Sequence, residues 1–186
     1  MSKDLENKII SKIIDIEGGY SNNPNDSGGE TKYGVTERVA RNHGYTGLMK
    51  DLSYDFAYTV YKMDYWDKMR LSEISEISEM IAEEIADTAI NTGTSRAGKI
   101  LQKSLDVFNN RQKLYPDLKI DGIIGIRTIH AFKAYMDYRG DEGEIVLYNM
   151  LNCLQGAFYA KLVNRREKDE EFMYGWIKNR VVIRKD

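Results

Sequence analysis

Residues 5–34 read LENKIISKIIDIEGGYSNNPNDSGGETKYG. Leu5, Ile9, Ile10, Ile13 and Ile14 fall on one face at helical spacing, so the stretch opens as an amphipathic helix. Gly18–Gly19 stops it. Beyond that point Asn-Asn-Pro and Asn-Asp-Ser-Gly-Gly are turn formers, and the only β structure expected in the chain is a small hairpin near 26–35. The stretch therefore predicts a helix that delivers Glu17 to the edge of an irregular loop. A second carboxylate, Asp26, stands nine positions later in that loop.

These two acids have different surroundings. Glu17 ends its helix, where the helix dipole disfavours negative charge. Ile13, Ile14 and Ile16 beside it favour partial desolvation, and both effects raise a carboxylic pKa. Asp26 sits among Gly and Asn, a polar setting that leaves it ionised. One carboxyl held protonated and one held charged is the arrangement that hydrolyses a glycosidic bond, with the first as general acid. Thr31 is placed to orient a water. Spacing alone does not carry this reading, since Glu-Gly-Gly is also an ordinary helix end and Asn-Asp-Ser-Gly an ordinary turn.

The rest of the chain reads as helices. Two prolines in 186 residues favour long ones. Thr36 is a helix N-cap, with the end at His43–Gly44, and Ser53 caps a helix that runs to about Met69. That helix carries a tyrosine stripe at 54, 58, 61 and 65, read as core or interface ahead of a sugar platform. A helix over about 75–92 follows. Glu73, Glu76, Glu79, Glu83, Glu84 and Asp87 on residues 71–90 read as a solvated acidic face. After the turn at Asn91–Ser95, helices are expected at about 97–108, 126–138, 143–165 and 168–182. His130 and Cys153 read as packing residues, and the basic tail with Lys178, Arg180, Arg184 and Lys185 as a solvated end.

Composition narrows the function classes. A net charge of −2 gives no electrostatic footprint for nucleic acid. One cysteine and two histidines make a conventional zinc site unattainable without several carboxylates. No apolar run approaches the length of a membrane span, and the N-terminus lacks the apolar region of a secretory leader. The expectation is a monomer, made in the cytoplasm and without cofactor or metal.

The string E-G-G-Y-x3-P-x-D-x-G-G-x-T-x2-G, Glu17 through Gly34, closely resembles the signature of the glycoside hydrolase family 108 lysozymes, the phage endolysin and bacterial N-acetylmuramidase group. It is also similar to the Glu–Asp–Thr pattern of phage-type lysozymes, although only four residues separate Asp26 from Thr31 where that pattern has five. Tyr65-Trp66-Asp67 is similar to the family's downstream Tyr-Trp segment. The second half resembles the peptidoglycan-binding segment fused to that family, at Ala86–Gly93, Leu101-Gln102, Asp121–Gly125 with Thr128, Phe172, Gly175-Trp176 and Arg180-Val181.

The resemblance implies a mainly α, lysozyme-like fold with at most a small β-hairpin near the active-site loop. Residues 1–92 would be the catalytic region. Residues 93–186 would be a peptidoglycan-binding-like region packed against it or merged with it in one domain. The activity implied is hydrolysis of the β-1,4 bond between N-acetylmuramic acid and N-acetylglucosamine in peptidoglycan, acting on the cell wall after release. Glu17 carries over as the catalytic acid, with Asp26 in the base or electrostatic role. Tyr20, Tyr33 and Trp66 are expected in the cleft wall, where flat rings face sugar C–H groups. Asp87 and Asn91, four apart on one helix, are candidates to point into the cleft, against capping or a buried network. The alternative function is a non-catalytic peptidoglycan-binding or envelope-assembly protein of the same fold.

Overall fold

A computed structural model describes residues 2–22 and 29–185, leaving the side chains of Ser2 and Glu17 outside the description. Packing divides the chain into two units, Met1–Asp67 and Lys68–Asp186. The architecture is mainly α, with one small antiparallel sheet among the described residues.

In the first unit, α1 (Ser2–Glu17) buries Leu5, Ile10, Ile13 and Ile14 and leaves Ile16 72% exposed. Its apolar face packs on α3 (Tyr54–Tyr61). Gly18 N–H closes the last turn on the Ile14 carbonyl at 2.9 Å, and Gly19 then turns the chain at φ +51°. Three two-residue strands follow in the order β1 (Tyr20–Ser21), β2 (Thr31–Lys32), β3 (Val35–Thr36). The sheet is thus one strand larger than the expected hairpin. Tyr20 pairs with Lys32, Thr31 with Thr36 and Lys32 with Val35. The β2–β3 turn is the dipeptide Tyr33-Gly34, with φ of 52° and 73°. Two successive positive φ angles match the natural twist of a tight hairpin.

Thr36 Oγ1 accepts from Val39 N–H and caps α2 (Glu37–Asn42), and Ser53 Oγ accepts from Phe56 N–H and caps α3. The latter helix does not continue as α to Met69. From Lys62 to Asp67 it widens into a π-helical segment. The i→i+5 pairing of a π turn moves the buried face along by one residue. As a result Trp66, and not Tyr65, joins Tyr61 in the core. Lys62 Nζ spans the segment, 3.0 Å from Glu6 Oε2 and 2.8 Å from Asp67 Oδ1.

The second unit is a helical array. The predicted 75–92 helix is two helices, α4 (Leu71–Ile77) and α5 (Glu79–Thr92), hinged at Ser78. Ser78 Oγ accepts from Ile81 N–H as the α5 N-cap and also donates to the Glu144 carboxylate. Next come α6 (Thr94–Phe108), α7 (Ile126–Val163, broken at Gly140) and α8 (Glu170–Arg180). Because α5 packs against α4, α6 and α7, only a narrow stripe of that helix, at Met80, Glu83, Asp87 and Ile90, is left partly open. That corrects the reading of the acidic segment: Glu76 and Glu79 are exposed, but Glu84 is only 6% exposed. The basic tail is also pinned and not free. Asn152 Oδ1 accepts from Val182 N–H at 2.7 Å, and Asn149 Oδ1 from Arg184 N–H at 2.9 Å. His130 and Cys153 are exposed, contrary to their reading as packing residues.

Gln102 explains the Asp121–Gly125 motif. It is buried, its Nε2 donates to Asp121 Oδ1 and to the Ile123 carbonyl, and its Oε1 accepts from Gly122 N–H at 2.8 Å. This clamp draws the loop so close to α6 that a Cβ on Gly98 would lie 2.3 Å from the Gly122 carbonyl oxygen. Both sides of that contact are backbone, so neither yields by a rotamer change. Gly98→Ala should lower stability by about 1–3 kcal/mol, the usual cost of overpacking. Urea unfolding measures it, and an unchanged midpoint would show that the loop can retreat freely.

Candidate active site

The chain runs from α1 straight into the sheet, and this fixes where the Glu17 backbone lies. It is the last residue of α1, and β1 begins three residues later. The Glu17 side chain and residue 26 lie outside the described residues. The sheet that follows brings three of the sequence candidates together. Thr31 is half-buried in the central strand, and its hydroxyl faces the Gly29 carbonyl at a long 3.5 Å. Tyr20, 44% exposed, pairs across the strands with Lys32. Its phenol pKa is raised by partial desolvation and by a hydrogen bond to the Glu30 carboxylate and that group's charge. Asn22 Nδ2 reaches the same carboxylate at 3.4 Å. Glu30 is a site neighbour that sequence reading missed. Only the strand register, which sets it across from Asn22, gives it away.

Tyr33 carries backbone strain with a visible cause. It is a non-glycine residue at φ 52°, held from two sides. Its N–H reaches the Gly19 carbonyl at 3.4 Å, and its carbonyl accepts from the Tyr61 hydroxyl at 3.2 Å. The ring stands edge-on to Tyr54, centroids 5.9 Å apart, and Lys32 Nζ lies 5.3 Å from its centre. The tyrosine stripe on α3 therefore acts as packing and support. Tyr58 donates to Glu6 and Asn7, while Tyr61 holds Tyr33.

Other candidates lie elsewhere. Trp66 is 1% exposed, so its ring is buried and does not form a cleft wall. The cause is the π turn described above. Asp87 belongs to the second unit, where Oδ1 accepts from Arg180 at 3.2 Å and Oδ2 from Gln155 at 3.4 Å. Asn91 donates back to the Asp87 carbonyl at 2.7 Å. Asp87 thus ties α5 to α7 and α8, and Asn91 bonds within its own helix. Of the three isoleucines expected to make the end of α1 apolar, Ile13 and Ile14 are buried and Ile16 is exposed. Among the described residues no three His, Cys, Asp or Glu side chains converge as metal ligands would, and no helix is long and apolar enough to cross a membrane.

Comparison with known proteins gives this geometry its context. The model of the glycosyl hydrolase 108 family matches residues 10–93, a segment holding the second half of α1, the sheet and both candidate carboxylates. Residues 10–93 belong to the glycosyl hydrolase 108 family. The family described as Predicted Peptidoglycan domain matches residues 96–181. At family level, the glycosyl hydrolase 108 match and its neighbour mark the protein as a hydrolase directed to peptidoglycan. The solved structure of Brucella abortus SagA is similar in fold, with a TM-score of 0.65 and 24% identity over 95% of this chain and 89% of that one. No curated protein sequence matches the chain.

Proposed function

We propose that the protein is a lysozyme-type N-acetylmuramidase that cuts the β-1,4 bond after N-acetylmuramic acid in peptidoglycan. The observation that carries the reading is the family match over residues 10–93, within which Glu17 closes α1 immediately before the sheet. Glu17 protonates the leaving glycosidic oxygen. Asp26, charged, activates water or steadies the oxocarbenium ion. Thr31 sits at the foot of the loop that carries Asp26 and helps place the water. Tyr20 and Tyr33 offer ring faces to the sugars, while Trp66 supports the unit from within. Residues 1–92 are the catalytic region and 93–186 the wall-binding region, and the protein acts on the cell wall after release.

Mass spectrometry of digested peptidoglycan tests this reading. The expected products end in a reducing N-acetylmuramic acid. Products ending in reducing N-acetylglucosamine, or cleavage within the stem peptides, would assign a different bond. An intact wall would favour a binding protein of the same fold.

A further inference from the structure

We propose that a row of aromatic rings on α7 and α8, ending at Arg96, binds peptidoglycan strands through a sugar ring and a stem-peptide carboxylate. This rests on peptidoglycan being the substrate, but not on the catalytic assignments in the first unit.

The row is continuous. Phe172 and Trp176 stack one helical turn apart on α8, with centroids 6.0 Å apart and planes at 24°. Trp176 lies 5.2 Å from Tyr159, and Tyr159 lies 5.7 Å from Phe158 on α7. At the far end the Arg96 guanidinium carbon sits 3.9 Å from the centre of the Phe158 ring. The row has a buried floor and open ends. Tyr159 is 3% exposed, whereas Phe172 is 50% exposed and Arg96 is also exposed. Packing of α8 on α7 fixes the spacing, since Val181 and Ile177 close over Gly156.

Two features point to a ligand of mixed character. Phe172 presents apolar ring surface to water beside a second ring already stacked on it, a rigid platform for sugar C–H groups. Arg96 is held in place by Phe158 yet has no carboxylate partner among the described residues. Elsewhere in this unit Arg70 pairs with Glu73 and Arg180 with Asp87. A guanidinium positioned by a ring and left unpaired is set up for fork-like recognition of a carboxylate. Peptidoglycan supplies both groups, sugars along the strand and carboxylates on its stem peptides. The whole row lies within the segment that matches the peptidoglycan domain.

The test uses the full chain carrying Glu17→Gln, so that binding is read without turnover. Two further changes are made separately in that background, Arg96→Gln and Phe172→Ala, each at an exposed side chain. Binding to insoluble peptidoglycan is measured by co-sedimentation, and thermal melting checks the fold. Each change should weaken binding roughly tenfold, about what one charge-assisted contact contributes. On peptidoglycan whose free carboxylates have been converted to amides, Phe172→Ala should still weaken binding while Arg96→Gln should not. The fluorescence of Trp176 should shift on binding soluble muropeptides and the buried Trp66 should stay silent, so Trp176→Phe should abolish the shift.

Parent-like binding by both variants overturns the assignment and leaves the substrate reading standing. Failure of the Glu17→Gln chain itself to bind peptidoglycan removes the substrate reading together with the subsite. Equal weakening by Arg96→Gln on intact and carboxyl-amidated peptidoglycan would also overturn the carboxylate role.

Discussion

Glu17→Gln should slow hydrolysis of purified cell walls by about 10²–10⁴-fold, the usual contribution of a general acid, while leaving the fold and wall binding in place. The amide matches the carboxylic acid in size and hydrogen-bonding capacity, but it has no proton to give to a leaving oxygen. The backbone supports the role. Position 17 closes α1, at the negative pole of the helix dipole, and the buried Ile13 and Ile14 lie within the turn before it. A carboxylic acid at such a place would hold its proton more readily than one in water. Rate measurements across pH, with thermal melting of both proteins, separate catalysis from stability. The parent's activity should fall as pH rises through the pKa of this acid. An amide variant that clears walls at the parental rate would remove Glu17 from the mechanism and turn attention to the envelope-protein reading.

What could be read from the sequence follows from how local each signal is. The α1 stripe, the Gly18–Gly19 stop and the Thr36 and Ser53 caps depend on residues within a turn of each other, and each forms where its pattern says. The π turn is not legible, because no local pattern marks it, and Lys62 at its start bonds to Glu6, far away in the chain. The same turn exchanges Tyr65 for Trp66 in the core, which removes Trp66 from the cleft wall. Ser78 looked like one more residue in the Ser-Glu-Ile repeat and is in fact the hinge between α4 and α5. Of the candidates that the loop motif names, Tyr20 and Thr31 lie in the sheet and Tyr33 in its β2–β3 turn. Asp87 and Asn91 share a helix face as predicted; Asn91 bonds back to the Asp87 carbonyl on the same helix, but the partners of the Asp87 carboxylate, Arg180 and Gln155, lie on helices whose approach no local pattern encodes. Glu84 failed for the same reason. A run of acids predicts a wet face only when one side of the helix is left uncovered.

That misread residue gives the largest expected effect on stability. Burial pushes the Glu84 carboxyl up from the ordinary 4.5 to about 7, with the charge of Asp87 adding to it and hydrogen bonds from Asn152, Thr88 and Tyr148 only partly offsetting it. Between those two values the folded protein holds a proton that the unfolded chain has already released. Stability therefore falls as pH rises through this window, the reverse of a carboxylate in a salt bridge. The loss is small near pH 4.5 and complete above about 7. At 1.36 kcal/mol per pKa unit it amounts to about 3 kcal/mol. Glu84→Gln removes the titration and keeps a neutral, hydrogen-bonding side chain in place. At pH 4.5 the variant and its parent should unfold at nearly the same urea concentration. By pH 8 the variant should be the more stable by about 3 kcal/mol, because only the parent must then carry a charge between α5 and α7. Comparing the two proteins at each pH cancels every other titrating group. A stability difference that stays constant from pH 4.5 to 8 would mean that Glu84 does not hold its proton in the folded state, and that the polar cluster with Asn152 and Tyr148 accommodates the anion.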